Sequence, residues 1–138
     1  MGTTGDVRKT FFDTKAVKDK VAPAVRRALS RFGAFVRTRS RSSIKRKPFG
    51  KVAPPGKPPY AHGDDLKRIL FGYDEARKSV VIGPVLFGAQ SGAPRRLEEG
   101  GATTRGGKPV RVRPRPYMGP AFSAELTKLG GQLKALIK

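Results

Sequence analysis

The chain has no cysteine, a single histidine and, over one long internal stretch, no acid. Without cysteine there is neither a disulfide nor a thiolate metal site, and the usage suits a reducing compartment. No apolar run approaches the roughly 18 to 20 residues that a membrane-spanning helix needs. The longest, Val81 to Ala89, is interrupted by Gly83, Pro84 and Gly88. Met1 to Lys9 is not followed by the apolar core of a secretory signal, so a soluble protein without membrane contact is expected. Catalytic groupings are scarce too. His62 stands beside Gly63-Asp64-Asp65, where a metal-binding or base role competes with a turn. The turn is preferred, because both carboxylates follow a glycine and there is no second histidine. Glu98-Glu99 reads as a helix end, and no nucleophile sits in an elbow or triad pattern. Gly50 and Gly56-Lys57 are wrongly spaced for a phosphate-cradling loop, and Pro58 stands where a Ser or Thr would hold the metal. No catalytic residue, metal ligand or cofactor is therefore expected.

What the chain has in excess is positive charge. Thirty Lys and Arg against ten Asp and Glu give a net charge of +20 over 138 residues. Between Asp19 and Asp64 there is no acid, yet twelve Lys or Arg occur from Lys20 to Lys57. Such an imbalance repels itself and favours a polyanionic partner: nucleic acid, an anionic membrane or an acidic protein surface.

Much of that charge lies on one segment, residues 14–44. Val17, Val21, Val25, Ala28, Phe32 and Val36 recur every three or four positions, which predicts an amphipathic helix with its cations on the remaining surface. Asp13 is the expected N-cap. At about 1.5 Å per residue the helix would be roughly 45 Å long. Pro23 removes a backbone hydrogen bond, so a kink, or a helix starting near Ala22, is expected there.

Two apolar runs, Ile69 to Gly72 and Val80 to Ile82, flank a short polar connection and predict an antiparallel hairpin. Val110-Arg-Val-Arg alternates with period two and predicts a further strand with one buried face. Pro120 suits the first turn of a closing helix on which Phe122, Leu126, Leu129, Leu133 and Ile137 recur at helical spacing, although Gly130-Gly131 weakens it. The expected fold class is α+β: a long N-terminal helix and a C-terminal helix packed on a small antiparallel sheet, with long extended loops. The expected organisation is an arm, residues 1–12, and a single domain, residues 13–138.

Two loops take a large share of that domain. Residues 45–65 hold five prolines and three glycines, which argue against helix and central strand. Residues 86–109 are glycine-rich, with only Pro94 to Glu99 fit for a helical turn. Unstructured loops of this length are uncommon inside a compact domain. Contacts with other chains would order them, and the apolar seam of the helix would lie against a sheet made of the hairpin and the Val110 strand.

Three landmarks stand in fixed order: Thr38-Arg-Ser-Arg-Ser-Ser-Ile44; Pro54-Pro-Gly-Lys-Pro-Pro-Tyr-Ala-His62 leading into Leu66-Lys-Arg-Ile69; and Arg113-Pro-Arg-Pro-Tyr-Met-Gly-Pro-Ala-Phe122. Together with Leu97-Glu98-Glu99-Gly100 they resemble the tail-completion or neck proteins of tailed bacteriophages, over roughly residues 12–135. The family commonly has Thr-Gly before the Leu and Ser-Ile after it, whereas here His62-Gly63-Asp64-Asp65 precedes Leu66 and Arg68-Ile69 follows. The resemblance implies a non-enzymatic virion protein, assembled in the host cytoplasm as a homo-oligomeric ring. That ring would join the head connector to the tail tube around the DNA channel, with neighbouring neck, connector and tail-tube proteins as partners.

The residues expected to touch neighbouring subunits are Phe11, Phe12, Phe49, Pro54, Pro55, Pro58, Pro59, Tyr60, Pro114, Pro116 and Tyr117. Those expected to face an anionic partner, acidic protein or genomic DNA, are Arg26, Arg27, Arg31, Arg37, Arg39, Arg41, Lys45, Arg46 and Lys47. The alternative is a basic nucleic-acid-binding protein, against which stands the lack of aromatic residues interleaved with the cations.

Overall fold

The computed structural model describes residues 14–48, 50–61, 63–85 and 93–137. Expectations resting on the arm with Phe11 and Phe12, on the Asp13 cap, on Phe49 and on His62 lie outside the described residues. The fold is α+β, with its two main helices near the chain ends. Helix α1 (Thr14–Ser43) runs unbroken through Pro23. Pro23 is on the exposed face, where water can replace the lost bond to the carbonyl of Asp19.

Strands β1 (Lys45–Arg46) and β2 (Tyr60–Ala61) pair in parallel. A 3-10 turn (Asp65–Lys67) leads into the antiparallel hairpin of β3 (Ile69–Asp74) and β4 (Ser79–Pro84). Helix α2 (Ala93–Glu99) is followed by a second antiparallel hairpin, β5 (Gly101–Arg105) and β6 (Lys108–Val112), and then by α3 (Met118–Ile137).

Helix α1 packs on α3 and on the β3–β4 hairpin. Ala24, Ala28, Phe32, Val36 and Ser40, spaced every four positions, are buried, and so is Gly33 beside them. This departs from the expected seam, because Val17 is 49% exposed and Val21 and Val25 are only half-buried. The hairpin and α3 cover the helix from Ala24 onward, and the buried row continues past its end to Ile44. Gly33 lets the hairpin approach closely: a Cβ there would stand 2.8 Å from side-chain atoms of both Phe71 and Val80.

Two apolar clusters form the core. Ile44, Ala61, Ile69 and Tyr117 make one; Phe32, Val36 and Ala121 make the other; and Ile82 and Met118 touch both. The rings of Phe32 and Phe122 meet edge to face at 5.5 Å, a favourable aromatic geometry.

Three expectations are corrected. The Val110 strand does not extend the β3–β4 sheet: Val110 pairs with Thr103 in a separate ribbon, and each of the three ladders has two strands. The cause is local. Gly106 and Gly107 have φ of 56° and 75°, the pair of positive values that a two-residue type I′ turn requires. Residues 101–109 are thus a hairpin arm instead of loop, and Val110 is exposed, not buried.

The apolar stripe of α3 is also turned. Ala121 and Glu125 are buried, whereas Phe122 and Leu126 are 44% and 47% exposed.

Finally, the proline-rich segment is not free of its own subunit. β1 and β2 close its base, and Ala53, Pro59 and Ala61 are buried. Pro54-Pro55-Gly56-Lys57 forms a turn closed by Lys57 N–H donating to the Pro54 carbonyl at 3.2 Å, with Gly56 at φ 77°, as expected of a Pro-Gly type II turn.

Glu98 holds the end of this assembly in place. Its Oε1 accepts from the backbone N–H of Tyr117 at 2.8 Å and from that of Met118, and its Oε2 from that of Gly119 at 3.2 Å. A carboxylate from another helix therefore satisfies donors that the first turn of α3 leaves unpaired, at the positive end of its dipole. Replacing Glu98 with Ala is expected to destabilise the fold by about 1–2 kcal/mol, the range of a lost helix cap, and Glu98→Gln by less. A urea-unfolding midpoint unchanged in Glu98→Ala would contradict this role.

Candidate functional site

The nine cations expected to meet an anionic partner separate into two groups. Arg26 pairs with Glu75 and lies 5.6 Å from the centre of the Tyr73 ring. Arg37 donates from Nε to the Ile69 carbonyl at 2.7 Å, tying α1 to the start of β3. Arg39 donates from Nε to Glu125 Oε1 at 2.8 Å, tying α1 to α3. Arg37 and Arg39 link elements of the fold, and Arg26 forms an exposed surface pair; besides its bond to Glu125 the Arg39 side chain stays 45% exposed.

The others stay available. Arg27 and Arg31, one turn apart on α1, are exposed away from the buried stripe. Arg41, half-buried in the last turn of α1, and Lys45 and Arg46 beyond the helix end continue the run, and none of these five side chains has an acidic partner among the described residues. Lys47 sits over the Tyr60 ring at 5.6 Å.

The acids cannot compensate. Asp74 accepts from the backbone N–H groups of Ala76 and Arg77, Glu75 meets Arg26 and Lys78, and Glu99 meets Arg95. Glu98 and Glu125 are engaged at α3. Asp64 precedes the 3-10 turn without a side-chain capping bond. Among the described residues no three His, Asp or Glu side chains converge where a metal ion would fit, and no helix is long and apolar enough to cross a membrane.

The residues expected at subunit contacts also divide. Pro54, Pro55 and Pro114 are exposed; Pro58, Tyr60 and Pro116 are half-buried; Pro59 and Tyr117 are buried. Tyr117, 1% exposed, belongs to the core of its own subunit, and with Pro59 it is corrected from a contact with a neighbour. Burial, with Glu98 nearby, pushes the Tyr117 hydroxyl up to about 12.

The structure brings the two proline-rich segments together. Gly56 N–H donates to the Pro114 carbonyl at 2.9 Å and Arg115 Nε donates to the Ala53 carbonyl at 2.7 Å. Their exposed prolines, with Val52 at 70% exposure, make one continuous tip.

Other exposed apolar positions escaped the sequence reading. In the β3–β4 register Leu70 faces Gly83 and Val81 faces Gly72, so all four share the outer face of the hairpin. Leu70 and Val81 are 60% and 62% exposed. Period two makes that face readable, but a run of neighbouring apolar residues conceals which members point outward.

Glu125 supplies a test of the α1–α3 tie. The Arg39 hydrogen bond, helped by nearby Lys128, holds its carboxyl below the ordinary value against the opposing effect of burial. A depressed carboxyl contributes stability above its unfolded value, near pH 4.3, and loses it as pH falls through the folded value. Glu125→Gln is therefore expected to cost about 1–3 kcal/mol at pH 7 and to flatten the loss of stability below about pH 4. Parallel acid-unfolding curves for variant and parent would refute this.

No protein-family model, curated protein or solved structure matches the chain.

Proposed function

We propose that this chain is a structural subunit of the bacteriophage head–tail connection, forming a homo-oligomeric ring between the capsid connector and the tail around the DNA channel. The observation that carries the reading is the set of apolar surfaces left wet: Leu70 and Val81 outside the hairpin, Phe122 and Leu126 on α3, and Val52 at the proline-rich tip. Exposed apolar groups gathered on regular elements mark interaction surfaces. Closed rings need two different patches on each subunit, since every contact is head to tail.

The sequence landmarks behind the resemblance also have a common physical purpose. The end of α1 contributes Ile44, the proline-rich stretch Ala61 and the closing segment Tyr117 to one cluster. Among the described residues the ten buried apolar ones include five alanines, a small apolar contribution, and a partner that covers the wet faces would add to it.

Native mass spectrometry or electron microscopy of the purified protein, alone and with connector or tail-tube proteins, is expected to show a discrete ring. The double variant Val81→Asp/Leu126→Asp is expected to keep the far-UV spectrum of the parent and to lose the ring, because both positions are exposed in the subunit. A chain that stays monomeric with every neighbour and is absent from purified virions would overturn the proposal.

The basic run supports a second reading, a nucleic-acid-binding protein acting without a ring. Arg27, Arg31, Arg41, Lys45 and Arg46 favour it, since they lack acidic partners among the described residues. It requires duplex binding by the monomer and a steep decrease of affinity with salt.

A further inference from the structure

We propose that the β5–β6 hairpin is an arm that grips the phosphate backbone of duplex DNA. Arg105, Lys108, Arg111 and Arg113 are exposed, and none has an acidic partner among the described residues. No acid occurs between Glu99 and Glu125. The inference goes beyond the ring assignment, because it names a contact and a ligand that a single subunit would already display.

The geometry of the arm favours an anion. Of its ten strand residues only Thr103 and Val112 are even half-buried. Midway along β5, Arg96 of α2 donates to the Thr103 hydroxyl. A Cβ at Gly100 would meet the Val112 carbonyl oxygen at 2.8 Å, so the strand enters the ribbon through a gap that only glycine fits. At the other end Arg105 is paired in register with Lys108 across the Gly106-Gly107 turn. Like charges directly opposed weaken a ladder, and an isolated two-stranded hairpin is marginal in water. A bound polyanion removes the first penalty and supports the second element.

Chemistry selects the ligand. Arg111 on β6 and Arg113 just past its end extend the cations of the Arg105–Lys108 tip toward the base of the arm, so that several exposed charges can meet successive phosphates. The stretch from Gly101 to Arg113 contains no aromatic residue, so it offers no platform on which unpaired bases could stack. That favours a duplex, and a contact to backbone over bases. A two-stranded ribbon is also narrow enough for the major groove.

The test compares two variants of equal net charge by fluorescence anisotropy with a labelled 30-base-pair duplex of mixed sequence across a salt series. One carries Arg105→Gln, Lys108→Gln, Arg111→Gln and Arg113→Gln on the arm; the other carries Arg27→Gln, Arg31→Gln, Arg41→Gln and Lys45→Gln on and beside α1. The arm variant is expected to bind at least about tenfold more weakly at moderate salt, with the slope of log affinity against log salt smaller by about 3. The α1 variant is expected to change less. A third variant with Arg105→Lys, Arg111→Lys and Arg113→Lys keeps the charge and is expected to bind like the parent.

Equal weakening by both Gln variants would reduce the effect to net charge and overturn the assignment, as would failure of the parent to bind the duplex at low salt. An acidic protein or a second copy as the true occupant would appear as loss of that assembly in the arm variant without loss of duplex affinity. Native mass spectrometry on the same samples separates the two proposals: a ring that persists after duplex binding is lost supports both, while a monomeric parent that binds through the arm leaves only this one.

Discussion

Three distant segments are held at one point by a single side chain and the ring beside it. Glu98 accepts from the first backbone donors of α3, and this fixes Tyr117, whose side chain closes the cluster of Ile44, Ala61 and Ile69. Because Tyr117 lies between Arg115, which reaches the Ala53 carbonyl, and Met118, which touches both clusters, a shift at this junction would move the proline-rich tip and the seat of α3 together. The extended segments gain their shape here from hydrogen bonds and burial, without needing regular structure. A carboxylate at a helix N-terminus works with the backbone dipole, so one of the few acids is placed where it accomplishes most.

The same economy governs the other charges. Acids engaged in internal bonds leave the cations in excess as a surface property. Arg37 and Arg39 show that a basic residue in an acid-poor stretch can serve its own fold: one donates to a main-chain carbonyl and the other to a carboxylate about 86 positions away. Exposed pairs such as Arg95 with Glu99 contribute at most about 1 kcal/mol. The tie to Glu125 differs, because that carboxylate is 6% exposed and would be costly to leave unpaired.

The fold class, the long helix, the β3–β4 hairpin and the Pro120 start of α3 were legible because each follows from a period or a backbone constraint carried by adjacent residues. The Gly106-Gly107 turn was just as legible in principle, yet a glycine-rich stretch read by composition hides the one dipeptide whose positive φ values make a hairpin. The rotation of α3 was not accessible. Its apolar positions fit a core stripe, but the small Ala121 and the ion-paired Glu125 pack against α1, and a periodicity of hydrophobicity does not register a buried carboxylate. The candidate site was half legible, since counting cations finds the basic run but does not reveal which of them the fold consumes.

Self-repulsion and a small core act in the same direction. A net charge of +20 works against compaction, and a core half made of alanine offers limited apolar area to oppose it. Any ligand that binds only the folded state raises its stability in proportion to the logarithm of concentration over dissociation constant. For this chain a polyanion would also relieve the repulsion directly, and a covered apolar face would enlarge the buried area. The two surfaces are therefore coupled through stability even without a path of contacts between them. Occupying either one would lower the fraction of unfolded chains from which the other must be formed, so covering one surface favours the folded form of both.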